Sequence, residues 1–170
     1  MFAESLAIAS KQIMNNHIYQ FANNIHVQQD EGSIGVMFTG IAAEMKVLNW
    51  CTMLKNKLEV LKIKNYLQPW LVDDITLLPE VIEPGMRFEN DKLVHYIEKE
   101  IEDKLIEDDV RTMKIIQAVA NNIDENIKVS FDVPSMNEDK RVPVLDVKMS
   151  VNNSNKVEYI FYKNQWQAKW

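Results

Sequence analysis

Leu67-Gln68-Pro69-Trp70-Leu71-Val72-Asp73-Asp74-Ile75-Thr76-Leu77-Leu78 sets an apolar run, two adjacent carboxylates and a second apolar run in succession. The flanks have strand-like composition, which puts the acids at the tip of a buried hairpin. One reading is a plain turn, since Asp accepts hydrogen bonds from its own backbone and tolerates turn angles. The other is a cation site. Two carboxylates fixed side by side raise each other's pKa unless a cation intervenes. A hard ion such as Mg²⁺ takes oxygen ligands, often one or two carboxylates plus substrate phosphates. Two such ions suit in-line phosphoryl or nucleotidyl transfer, activating the attacking oxygen and stabilising the leaving one.

Upstream, the chain is helical from about Met37 to Leu61. Met37, Ile41, Met45, Leu48, Thr52 and Lys55 share one face, and Ala42, Trp50, Leu54 and Leu58 add apolar surface beside it. Ahead of that helix, Gln28 to Gly35 is a polar loop holding Gly32 and Gly35, two of the four glycines of the chain. Such a loop turns, or brings backbone N–H groups close to a partner, and Ser33 is able to cap the helix behind it. Ile18 to Val27 reads as a short hairpin around Asn23-Asn24. Phe2 to His17 reads as a helix with Phe2, Leu6, Ala9 and Ile13 on one face.

Downstream, Pro79 to Arg87 is a loop punctuated by two prolines and a glycine. A helix from about Asp91 to Glu107 is expected next, its inner face made by Leu93 or Val94, Ile97, Ile101 and Leu105. The charge run Glu98 to Asp109 then forms a solvated outer face. A second helix, Val110 to Ile123, turns Met113, Ile116, Ala120 and Ile123 inward. The period changes after that. Ile127 to Val133 and Leu145 to Val151 alternate strictly, the latter after the lead-in Val142-Pro143-Val144, and Val157 to Tyr162 is rich in β-branched and aromatic residues. Three antiparallel strands in a meander are expected. The fold class is therefore α+β in one domain: a long helix, an Asp-Asp β-hairpin, two helices and a C-terminal antiparallel three-strand meander.

Composition bounds the function. The 170 residues are 46% hydrophobic and 26% charged, as in a globular domain. No apolar run reaches the roughly 18 residues that span a bilayer. The lone Cys51 excludes an internal disulfide and a multi-cysteine zinc site, which points to an intracellular protein in cytoplasm or nucleus. A net charge of −6 argues against nucleic-acid binding driven by overall charge, while leaving room for a local basic surface. His17, His26 and His95 lack zinc-site spacing, Cys51 reads as a core thiol, and neither a Walker loop nor a nucleophile elbow is present.

Taken in order, these segments resemble the C-terminal part of a reverse-transcriptase palm from an invertebrate-type retroelement. Gln29 to Gly35, followed by Thr39-Gly40 and Ala42-Ala43, is similar to the family's glutamine–glycine loop and the helix behind it. Leu71-Val72-Asp73-Asp74-Ile75 resembles the aromatic-x-Asp-Asp hairpin. Val110 to Tyr162 looks like the following helix and strands, including Val144-Leu145-Asp146 and Phe161-Tyr162-Lys163. The resemblance implies Asp73 and Asp74 as catalytic ligands of Mg²⁺ or Mn²⁺, with Gln29, Gly32, Ser33, Gly35 and Leu71 lining the nucleotide and template surface. It implies a nucleic-acid template-primer and deoxynucleoside triphosphates as partners, together with missing polymerase segments or a host protein, and no membrane. Departures accompany it. Leu71 stands where the family usually has Tyr, the glycine loop is about one residue shorter and lacks a proline, and no acidic strand precedes Gln29. With fingers and first catalytic strand absent, the fragment is expected to be inactive alone. A domesticated, non-enzymatic interaction protein built on a palm remnant is the alternative.

Overall fold

The computed structural model describes residues 2–15, 17–28, 37–69, 75–152, 154 and 156–161. They fall into two compact units, one drawing on residues 2–49 and the other on 50–69 and 75–161. The class is α+β, with short antiparallel sheets rather than one continuous one.

The first unit holds α1 (Phe2–Asn15), the hairpin β1 (His17–Phe21) and β2 (Asn24–Gln28), and the first half of α2 (Met37–Val60). Its hairpin turns on Ala22-Asn23, one residue before the Asn pair that signals it. Phe21 pairs with Asn24, and Ala22 and Asn23 sit at φ 49° and 64°. Two positive-φ residues in a two-residue turn match the right-handed twist of the flanking strands. Among the described side chains of residues 2–49 none is buried. Ala9 and Ile13, expected to face inward from α1, are exposed, and the side chains of Phe2 and Leu6 lie outside the described residues.

The second unit carries the core. From α2 it takes Trp50, Cys51, Leu54 and Leu58, all buried, so the face that packs is the one bearing Trp50, Leu54 and Leu58. Ile41, Met45 and Leu48 on the other expected face are exposed. Lys62, at φ 59°, ends α2, and Ile63 N–H donates back to the Leu58 carbonyl at 2.9 Å. A left-handed residue closing the last turn frees the chain to leave the helix axis. It enters β3 (Asn65–Pro69), which pairs antiparallel with β4 (Ile75–Pro79).

The next segment corrects the expected helix over 91–107. Met86–Glu89 (β5) and Lys92–His95 (β6) form a hairpin on Asn90-Asp91, both at positive φ (45° and 63°), and only Ile97–Asp103 is helical (α3). Asn-Asp is a strong two-residue turn pair, and here it outweighs the helical spacing of the apolar residues around it. The expected inner face is also overturned: Val94, Ile97, Ile101 and Leu105 are exposed, and Asp103 is the buried residue of α3.

α4 (Asp108–Asn121) is the hub of this unit. Asp108 and Asp109 in its first turn complement the positive end of the helix. Ile115, Ile116, Val119 and Ala120 are buried, while Met113 and Ile123 are half-buried, so the inward stripe is centred beside the expected one. Its polar side chains satisfy backbone that has no strand partner. Ile82 N–H donates to Thr112 Oγ1 at 3.0 Å, and Arg111 Nε and Nη2 donate to the Ile82 carbonyl at 3.2 Å. One side of the helix further on, Val129 N–H donates to Asn121 Oδ1 at 2.9 Å and Gln117 Nε2 to the Val129 carbonyl at 2.7 Å. Val129 is therefore held by a helix, and residues 127–133 form no strand, which corrects the segment's expected place in the meander. A single 3₁₀ turn at Pro134–Met136 follows.

The C-terminal sheet is a three-stranded meander all the same: β7 (Val142–Val144), β8 (Val147–Val151) and β9 (Val157–Phe161) in that order. The apolar lead-in is itself the first strand. Leu145-Asp146 is the turn, with Val144 paired to Val147 across it.

Candidate functional site

All seven expected site residues, Gln29, Gly32, Ser33, Gly35, Leu71, Asp73 and Asp74, lie outside the described residues. The structure does describe the framework on either side of the acidic pair. β3 and β4 pair from Asn65↔Pro79 at the base to Pro69↔Ile75 at the last described rung. Leu71 to Asp74 thus belong to the short sequence between two antiparallel arms. Glu80 N–H donates to the Lys64 carbonyl at 2.8 Å below the base, and Asn65 Nδ2 donates to the Ile63 carbonyl at 2.9 Å. The Lys64–Glu80 ion pair there is solvated on both sides and adds little. Buried Ile63 and Ile82 flank the hairpin in sequence, while Leu67, Ile75, Thr76 and Leu77 are half-buried and Leu78 is exposed. The arms are less covered than a buried hairpin would be.

The strongest electrostatic constellation among the described residues is elsewhere. Asp103 accepts from Arg87 Nη1 at 2.6 Å and Nη2 at 3.0 Å, a two-pronged pair, and from Gly85 N–H at 2.8 Å. The Arg87 guanidinium holds the Asp103 carboxyl below the usual carboxylate range; burial opposes this, and the Gly85 N–H reinforces it. Arg111 lies beside them, 4% exposed, donating to the carbonyls of Asp103 and Ile106 and to Asp108 Oδ1 as well as to Ile82. Gly85 sits at φ 84°, and a Cβ there would come within 2.9 Å of the His95 ring and the Tyr96 carbonyl. Only glycine fits. Both Asp103 oxygens are engaged, so the cluster is a structural clamp between the turn ahead of β5 and α3. Its members fall partly in the charge run expected to be solvated, where spacing does not distinguish Asp103 from its neighbours.

Cys51 is buried, and burial pushes its thiol up, away from a reactive thiolate. Among the described residues no group of three His, Cys, Asp or Glu is placed to hold a metal, and no helix is long and apolar enough to cross a membrane. No protein-family model, curated protein or solved structure matches the chain.

Proposed function

We propose that this chain is the C-terminal part of a reverse-transcriptase palm, derived from an enzyme of metal-dependent nucleotidyl transfer on a nucleic-acid template. What supports the reading is the β3–β4 ladder that brackets Leu71-Val72-Asp73-Asp74, in a chain where the sequence Gln29 to Gly35 and helix α2 precede it and α4 with a three-stranded meander follows. Adjacent carboxylates are hard oxygen donors, the set that suits Mg²⁺ or Mn²⁺. When bound, such ions stabilise charge on the transferring phosphoryl group. Asp73 is assigned as principal ligand and Asp74 as secondary ligand or support. Gln29, Gly32, Ser33 and Gly35 shape the nucleotide and template surface, and Leu71 takes the place beside the primer end.

The strands ahead of the glycine loop, His-Ile-Tyr-Gln-Phe and Asn-Ile-His-Val-Gln, contain no acid. These two strands therefore supply no third carboxylate to the pair, and the site should hold catalytic metal weakly. Mg²⁺ titration followed by NMR is expected to move the Asp73 and Asp74 resonances selectively, while primer extension with Mg²⁺ or Mn²⁺ stays at background. Robust extension abolished by Asp73→Asn would refute the inactivity; a titration that leaves both acids unmoved would remove the metal site.

A further inference from the structure

We infer that the outward face of α3 is a docking surface for a cationic amphipathic helix of a partner protein. The inference does not depend on the polymerase reading. Ile97, Ile101 and Leu105 recur every fourth residue and are 74%, 74% and 87% exposed. Ile97 and Ile101 lie one turn apart on the outward face of α3, and Leu105 follows in the turn after the helix ends at Asp103. Amphipathic surface helices normally turn such a stripe inward; here the inward residue is Asp103, about 200° round the helix from Ile101 at 100° per residue.

The orientation is fixed chemically. Asp103 is held by both prongs of Arg87 and by Gly85 N–H, so rolling the stripe toward the core would abandon three hydrogen bonds to a buried carboxylate. The unit's own core therefore does not cover these three side chains. A held, exposed stripe of large apolar residues marks an interaction site more than a solvated surface.

Charge selects the occupant. From Ile97 to Asp109 stand seven acids and two lysines; with Arg87 paired to Asp103 and Arg111 to Asp108, a local excess of three negative charges remains. Both lysines are engaged within the helix, Lys99 with Glu102 at 3.0 Å and Lys104 with Glu100 at 2.6 Å. Glu98 and Glu107 have no ion-pair partner among the described residues. Such a frame repels nucleic acid, anionic lipid and the same face of a second copy, and it attracts a helix with Leu-type residues every third or fourth position flanked by Lys or Arg.

The probe is a synthetic amphipathic Leu/Lys helix, tested beside a scrambled peptide of identical composition, with affinity read by calorimetry. Saturable binding of the amphipathic peptide alone is expected. Ile101→Asn should weaken it about tenfold, the loss of one buried aliphatic side chain, and Glu98→Lys should weaken it and flatten its salt dependence. Because Ile101 is exposed, an unchanged thermal melt shows that the variant still folds. Equal binding of the scrambled peptide, or affinity untouched by Ile101→Asn, would overturn the surface. Sedimentation showing a dimer of the chain that Ile101→Asn dissolves would replace the partner helix by a second copy and overturn the assignment of the occupant.

Discussion

Asp103 shows how much one side chain decides. Its carboxylate fixes Arg87 and the Gly85 turn from one end of α3. Asp103→Asn keeps the shape but removes the charge, leaving one guanidinium without its pair. Breaking a fully buried pair costs about 3–5 kcal/mol; since Arg87 is a third exposed, a loss of about 2–3 kcal/mol is expected in urea unfolding at neutral pH. The pH dependence has a definite sign. The folded pKa lies below the unfolded value of about 3.9, so the unfolded chain binds the proton first as pH falls. The contribution is complete above about pH 5 and is lost as pH drops through the lowered folded value. Unfolding curves across this acid range should therefore be shallower in pH for Asp103→Asn than for the wild type; parallel curves would mean that another group carries the acid limb. No local signal in the sequence separates Asp103 from the other acids of its run. Its burial follows from Arg87 and Gly85, both brought to it by a hairpin whose turn had to be read first.

At the scale of elements, turn chemistry proves more informative than apolar spacing. Asn90-Asp91 takes positive φ at both positions and makes a hairpin of residues whose spacing suggests a helix. Asn23, beside Ala22, does the same between β1 and β2, where the Asn pair is legible in advance. The Ile127–Val133 alternation misleads for a different reason: a strand needs partners for its backbone, and Asn121 and Gln117 of α4 offer them first. Leu145 is the turn that nothing in the sequence announces. It holds φ 54° between β7 and β8 while 46% exposed, and a left-handed Leu costs roughly 1–2 kcal/mol. Asn tolerates that conformation with less strain. Leu145→Asn is expected to raise the thermal midpoint, with a gain of about 0.5–1 kcal/mol. A lowered midpoint would show that the Leu145 side chain contributes more packing than its backbone strain takes away.

For the whole molecule, the distribution of cover matters more than the count of apolar residues. At 46% hydrophobic the chain has material for a core throughout its length, yet every buried apolar residue described, from Trp50 to Val133, belongs to the second unit. Periodicity identifies which residues could share a face; it does not say which face finds a neighbour: in α2 the face bearing Trp50, Leu54 and Leu58 packs instead of the one expected, and in α3 the buried residue, Asp103, comes from the run expected to be solvated. The same limit applies to the acidic pair: the paired arms around it are legible as strand-like runs, whereas a metal site is a matter of where a third carboxylate comes to rest. Cover predicts an asymmetric response to truncation. Leu58, fully buried in the second half of α2, leaves a cavity on substitution, and Leu58→Ala should cost about 2–5 kcal/mol. Ile25, 74% exposed on β2, loses almost no packing, and Ile25→Ala should stay within about 0.5 kcal/mol. Chemical unfolding of the two variants reads the difference directly, and native-state hydrogen exchange should show the amides of α4 opening only with the whole unit while those of β1 and β2 exchange much earlier. Comparable losses for Leu58→Ala and Ile25→Ala would mean that the first hairpin is as firmly packed as the core of the second unit, and that exposure at Ile25 misstates its share of the stability.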